Sequence, residues 1–114
     1  MLNWLPLTEI SQLDVIVRLS CEANTPVVCI FKHSTRCAIS DMIKNRLERT
    51  WKGDALALVY YLDLLKYKSV SDTIAKRFDV IHESPQLLVI KNGECVSHTS
   101  HYGIDADFIK EFEQ

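Results

Sequence analysis

Cys37 stands where a short apolar run, Val27–Phe31, and a polar stretch, Lys32–Arg36, give way to apolar residues at helical spacing. A cysteine in the first turn of a helix meets unpaired backbone N–H groups and the positive end of the helix dipole, which favour the thiolate, its reactive form. Arg36 beside it, with Lys32 and His33 in the same stretch, would push the same way. A helix-start cysteine that merely packs is the plainer alternative. Cys37-Ala38-Ile39-Ser40 has the length of a C-x-x-C redox motif with serine in place of the second thiol, so dithiol chemistry inside the motif is excluded. Two uses stay open for Ser40: a hydrogen bond towards the thiolate, or a first-turn bond to backbone.

A second cluster, Glu83-Ser84-Pro85-Gln86, immediately precedes the run QLLVI. Proline there removes a backbone donor and, with a cis bond, turns the backbone groups of Ser84 outward, where an extended thiol substrate can pair with them. Cys29, inside VVCIF, reads as a small buried hydrophobe. Cys21 and Cys95 have no partner at motif spacing, and a disulfide to Cys37 would need Cα atoms within about 7 Å. A metal site is not expected, because no C-x-x-C pair exists and His98 and His101, three apart in a strand-like segment, point to opposite faces. A phosphatase loop of the C-x5-R type fails at Ile43, and no glycine-rich nucleotide loop is present.

These residues sit in a chain of 114 residues with 13 basic and 15 acidic side chains, net charge −2, and 47% hydrophobic content. That length and composition predict one globular domain over residues 1–114. The near-neutral balance and the lack of a Lys/Arg cluster argue against nucleic acid as a partner. No run approaches the roughly 20 apolar residues that span a bilayer, and Met1–Pro6 lacks a basic and then apolar leader pattern. The expectation is a cytoplasmic protein without a membrane partner, in which the cysteines serve as thiols rather than structural disulfides.

The elements that must position the thiol follow from periodicity. A helix is expected from Thr8 to before Asn24, with Ile10, Leu13, Ile16 and Val17 on one face, then a strand over Val27–Phe31. A second helix runs from about Cys37 to Trp51, with Gly53 as its stop, and Ala55–Asp63 reads as a strand. A third helix over Ser69–Phe78 has Ser69 or Ser71 available as cap. Gln86–Ile90 and Glu94–Ser100 flank Asn92-Gly93, a tight hairpin signal, and Ile104, Phe108, Ile109 and Phe112 make a closing helix capped by Asp105. The order αβαβαββα predicts an α/β fold with a central mixed four-stranded sheet and helices on both faces.

That order is the order of the thioredoxin fold, and VVCIFKHSTRCAIS with the downstream IAKRFDVIHESPQLLVIKNGECV resembles the thioredoxin superfamily. The segment HSTRC-x-IS is similar to the YtxJ family of monothiol bacilliredoxins. The resemblance implies Cys37 as catalytic nucleophile, Pro85 as the cis-proline and Ser40 as the replacement for a resolving cysteine, with Ser84, Pro85, Thr35, Arg36 and Ser40 contacting substrate. Ala38 departs from the family pattern, which usually has proline after the cysteine and so a fixed φ at the helix start. The implied activity is removal of bacillithiol, or a similar low-molecular-weight thiol, from protein mixed disulfides. Bacillithiolated proteins and the small thiol are the implied partners, and that thiol is the only co-substrate, with no resident cofactor. A non-catalytic redox sensor or partner-binding module, with Cys37 as a modifiable switch, is the alternative reading. An iron–sulfur carrier ranks below both.

Overall fold

Val28 to Phe31 are all buried, and their side chains alternate between two separate apolar layers, because successive residues of a strand point to opposite faces of a sheet. In the computed structural model, which describes residues 2–51 and 57–112, this strand, β2 (Val27–His33), is the middle of a five-stranded sheet. The remaining strands are β1 (Trp4–Pro6), β3 (Ala57–Asp63), β4 (Gln86–Lys91) and β5 (Glu94–Ser100), in the spatial order β1-β3-β2-β4-β5. β1 and β2 run parallel to β3, whereas β4 is antiparallel to β2 and to β5. The helices are α1 (Gln12–Cys21), α2 (Ala38–Thr50), α3 (Lys68–Arg77) and α4 (Ala106–Lys110).

Val28 and Ile30 pack with Leu13 and Ile16 of α1 and with Val70 and Ile74 of α3. Cys29 and Phe31 pack on the other face with Ile43 and Leu47 of α2 and Ile109 of α4. Helices thus cover both faces, as the alternation of β and α patterns predicts.

The fifth strand is a departure from the expected four. β1 is three residues at the sheet edge, too short to show a period, and it contains Pro6, which only an edge readily accommodates. β2 also runs two residues beyond Phe31, because Lys32 and His33 are buried and paired inside rather than looped out. α1 begins at Gln12 instead of Thr8: the Gln12 carboxamide oxygen accepts the N–H groups of Thr8 (2.7 Å) and Glu9 (2.9 Å) and holds those residues as a turn. Neither serine caps α3. Its N-cap is Tyr67, Ser69 lies within the first turn, and Ser71 is buried in the helix. Gly53 and the first residues of the run Ala55–Asp63 lie outside the described residues.

Asn92 and Gly93 both take positive φ, 53° and 80°, and close the β4–β5 hairpin as their types predict. A register shift between Val89 and Ile90, paired with Ser97 and Cys95, leaves Val96 as the extra residue of a bulge. Asp105 caps α4 by accepting the Phe108 N–H at 2.9 Å.

Candidate functional site

β2 delivers the chain to Ser34, and a turn follows in which the Cys37 N–H bonds the Ser34 carbonyl at 3.2 Å. Cys37 is the N-cap of α2: its backbone is extended (φ −108°, ψ 119°), and its carbonyl accepts the first helical bond, from Asp41 N–H at 3.0 Å. Its side chain makes no capping bond and is half-exposed, so the sulfur stands at the helix start, open to a reaction partner. Thr35 and Arg36, just before it, are exposed.

Ser40 is turned inward, fully buried, and makes no hydrogen bond to Cys37 among the described interactions. Its hydroxyl oxygen accepts the Ser34 N–H at 3.0 Å and lies 2.6 Å from His33 Nδ1. Of the two uses open from sequence, the structure has the bond to backbone. His33 Nε2 lies 3.2 Å from the exposed Asp41 carboxylate. Burial, ahead of the opposing pull of Asp41, holds the His33 imidazole below its ordinary 6.5, so the ring is neutral at pH 7. A neutral ring has one N–H, and Asp41 can only accept, which places that hydrogen on Nε2. The chain of bonds is therefore directional: Ser34 N–H to Ser40 Oγ, Ser40 O–H to His33 Nδ1, His33 Nε2–H to Asp41. It fastens the start of the Ser34–Arg36 loop to the first turn of α2.

The adjacent strand supplies the other wall. In the antiparallel ladder Lys32 pairs with Gln86, so His33, which leads into the thiol loop, and Pro85 lie at the same end of neighbouring strands. The Ser84–Pro85 bond is cis, Pro85 is buried, and its carbonyl accepts the His101 N–H at 3.1 Å. The Ser84 hydroxyl oxygen is buried and has no hydrogen-bond partner among the described residues. The preceding loop is held by Gln86, whose side chain donates to the Ile81 carbonyl (3.0 Å) and accepts from the Glu83 N–H (3.4 Å).

Lys32 and His33 do not join Arg36 as a basic rim around the thiol. Alternation along β2 sends His33 under α2 and Lys32 through the opposite face to α3. There the Lys32 amine, fully buried, lies 3.4 Å from the Ser71 carbonyl and 3.2 Å from His82 Nδ1. Burial pulls it from 10.5 to about 8, with Asp72 pulling the other way. Sequence reasoning missed both polar networks. No local pattern in the sequence marks them, since Val27–Phe31 is an unbroken apolar run and the partners lie 7 to 50 positions away.

Cys21, Cys37 and Cys95 carry free thiols, and Cys29 is buried in the layer beneath α2 and α4. Burial raises the Cys95 thiol above its ordinary 9.0. Among the described residues no group of three or more His, Cys, Asp and Glu is placed to hold a metal ion, and no helix is long and apolar enough to cross a membrane.

Known structures resemble this arrangement over nearly the whole chain. A protein described as a candidate oxidoreductase with a thioredoxin fold is 28% identical, with a TM-score of 0.77, covering 95% of this chain and 91% of its own. A point mutant of thioredoxin from Halobacterium salinarum is 16% identical with a TM-score of 0.72, covering 98% and 92%. Thioredoxin from Schistosoma mansoni is 21% identical with a TM-score of 0.71, covering 96% and 95%. The fold is that of thioredoxin, and the helix-start cysteine gives it the site of a thiol redox protein. Within that class the chain belongs to the monothiol bacilliredoxin family BrxC, whose model matches residues 5–109.

Proposed function

We propose that the protein removes bacillithiol, or a closely similar small thiol, from mixed disulfides on protein cysteines. The observation that carries this reading is a half-exposed Cys37 at the start of α2 whose motif partner, Ser40, is a buried hydroxyl engaged with His33 and Ser34. With no second sulfur in the motif, the cycle uses one cysteine. The Cys37 thiolate attacks the bacillithiol sulfur of the mixed disulfide; that disulfide breaks, and the substrate cysteine leaves as a thiolate and takes a proton from water. Cys37 then holds the small thiol until a second small-thiol molecule, as its thiolate, attacks the bound small-thiol sulfur. This releases the symmetrical small-molecule disulfide and restores the Cys37 thiolate. The incoming small-thiol thiolate supplies the electron pair that ends on the substrate cysteine, the first small thiol stays at the disulfide level throughout, and no cofactor is needed.

In this reading Arg36 and Thr35, both exposed, meet the anionic and hydroxyl groups of such a thiol, and the substrate protein's backbone lies along the Ser84–Pro85 edge; their exposure and the cis bond support it. Lys32 takes no direct part in binding, since it is buried on the other side of the sheet.

The test is intact-protein mass spectrometry of wild type and Cys37→Ser after incubation with a bacillithiolated protein, then with excess bacillithiol. Wild type gains one bacillithiol and loses it again while the substrate is reduced, and Cys37→Ser does neither. Uptake at Cys37 without discharge would instead make the protein a redox switch, and exchange retained by Cys37→Ser would remove Cys37 from the role of nucleophile.

A further inference from the structure

Lys32 is a lysine with no solvent exposure in the interior of the fold. An ammonium with no solvent exposure is unfavourable unless a carboxylate compensates it, and among the described residues none lies within ion-pair distance of its Nζ. What it reaches is the Ser71 carbonyl of α3 and, at 3.2 Å, Nδ1 of His82. A lysine amine in its charged form only donates, so His82 Nδ1 accepts and the ring hydrogen is on Nε2. His82 lies three residues before the cis-proline.

Gln86 is the ladder partner of Lys32, is equally buried, and binds the same loop through the Ile81 carbonyl and the Glu83 N–H. Two paired positions of the sheet therefore reach out to one three-residue stretch, Ile81 to Glu83. That stretch has no apolar anchor of its own, since Ile81 is 86% exposed. Its position depends on these polar ties, and the segment it leads into is Ser84–Pro85.

We propose that Lys32 is a positioning residue of the thiol site: by donating to His82 it fixes the Ile81–Ser84 segment, and so sets the substrate-facing backbone beside Pro85. The inference rests on the reading that a mixed-disulfide substrate lies along that edge. It assigns Lys32 to recognition of the substrate's peptide part rather than to activation of the Cys37 sulfur.

Four variants test it: Lys32→Met, which keeps length and removes the amine; His82→Ala, which removes the acceptor at an exposed position; the double variant; and His82→Gln, which restores an acceptor. Each is followed by amide hydrogen exchange over the loop, by the rate of exchange with a peptide carrying bacillithiol as a mixed disulfide, and by alkylation of Cys37 with iodoacetamide. In Lys32→Met and in His82→Ala the Glu83 amide should exchange about tenfold faster and the peptide reaction slow about tenfold, the worth of one charge-assisted hydrogen bond. Alkylation should change less than about twofold, since that small reagent uses no peptide cleft. The double variant should be no worse than the poorer single one, and His82→Gln should recover most of the loss.

Unchanged loop protection, additive losses in the double variant, or alkylation falling in step with the peptide reaction would each overturn the assignment. His82→Ala and His82→Gln keep the test decisive if Lys32→Met fails to fold. If wild type does not exchange with the peptide disulfide at all, it is the reductase reading that falls, and the loop-protection data alone then decide whether Lys32 anchors the loop.

Discussion

Replacing Lys32 by methionine should make the protein more stable at neutral pH. The amine is buried with no bonded carboxylate among the described residues and is lowered from 10.5 to about 8, so carrying its charge into the fold costs about 3 kcal/mol relative to leaving it in water. Above 10.5 neither state holds the proton and this cost is absent; between 8 and 10.5 the unfolded chain holds a proton that the folded chain has released, and stability rises with pH. Below 8 both states hold it and the full cost applies. Methionine has no charge to desolvate and a similar unbranched shape. In urea unfolding under reducing conditions, Lys32→Met should therefore exceed wild type by about 2 to 3 kcal/mol at pH 7, and the gap should shrink steadily towards pH 10. Tyr60 and Tyr61, both raised above 10.0 chiefly by burial, destabilise either chain alike as they titrate, so they drop out of the difference. A variant less stable than wild type at pH 7, or a gap that stays constant between pH 7 and 10, would refute the reasoning. Greater stability with slower peptide exchange would show that the buried amine is kept for the site at the expense of the fold.

Other perturbations have equally definite outcomes. Ser40→Ala leaves the Ser34 N–H and His33 Nδ1 without their shared partner and should lower the unfolding free energy by about 1 to 3 kcal/mol, read from the urea midpoint at constant slope. Because burial lowers His33 below 6.5, the unfolded chain takes up a proton there that the folded chain refuses. Stability should therefore fall as the pH drops below 6.5, and His33→Gln should show a shallower decline in thermal midpoint between pH 7 and 5. Asp105→Ala removes the cap on Phe108 and the 3.3 Å contact with Arg46, and should cost about 1 kcal/mol in thermal unfolding while leaving Cys37 exchange intact.

The sequence made legible those parts of the molecule whose cause is local. Asn92-Gly93 announces its turn because few other pairs adopt two positive φ values, and Asp105 announces its helix because a cap acts over three residues. The helix-start cysteine is visible in the same way, as is the serine at the second motif position. Beyond them, polarity misled. Lys32 and His33 read as the start of a loop, yet they are the end of β2, and what makes them tolerable inside is Ser71 and His82 on one face and Ser40 and Asp41 on the other. Such pairings span 7 to 50 positions, and no periodicity connects them. β1 escaped notice for a different reason, since three residues cannot display an alternation, and it is made by its ladder with β3.

The two outer strands also bear on how the molecule behaves in a crowded solution. A sheet with open edges invites a second chain to extend it, which is how aggregation by strand addition begins. Here one border is only Trp4 to Pro6, where the proline brings no N–H to a newcomer. The opposite border is broken by the bulge at Val96, which strengthens the local twist and offers no straight ladder to copy. Both borders are thus poor templates, so that a flexible segment passing the sheet finds no straight edge on which to become a further strand.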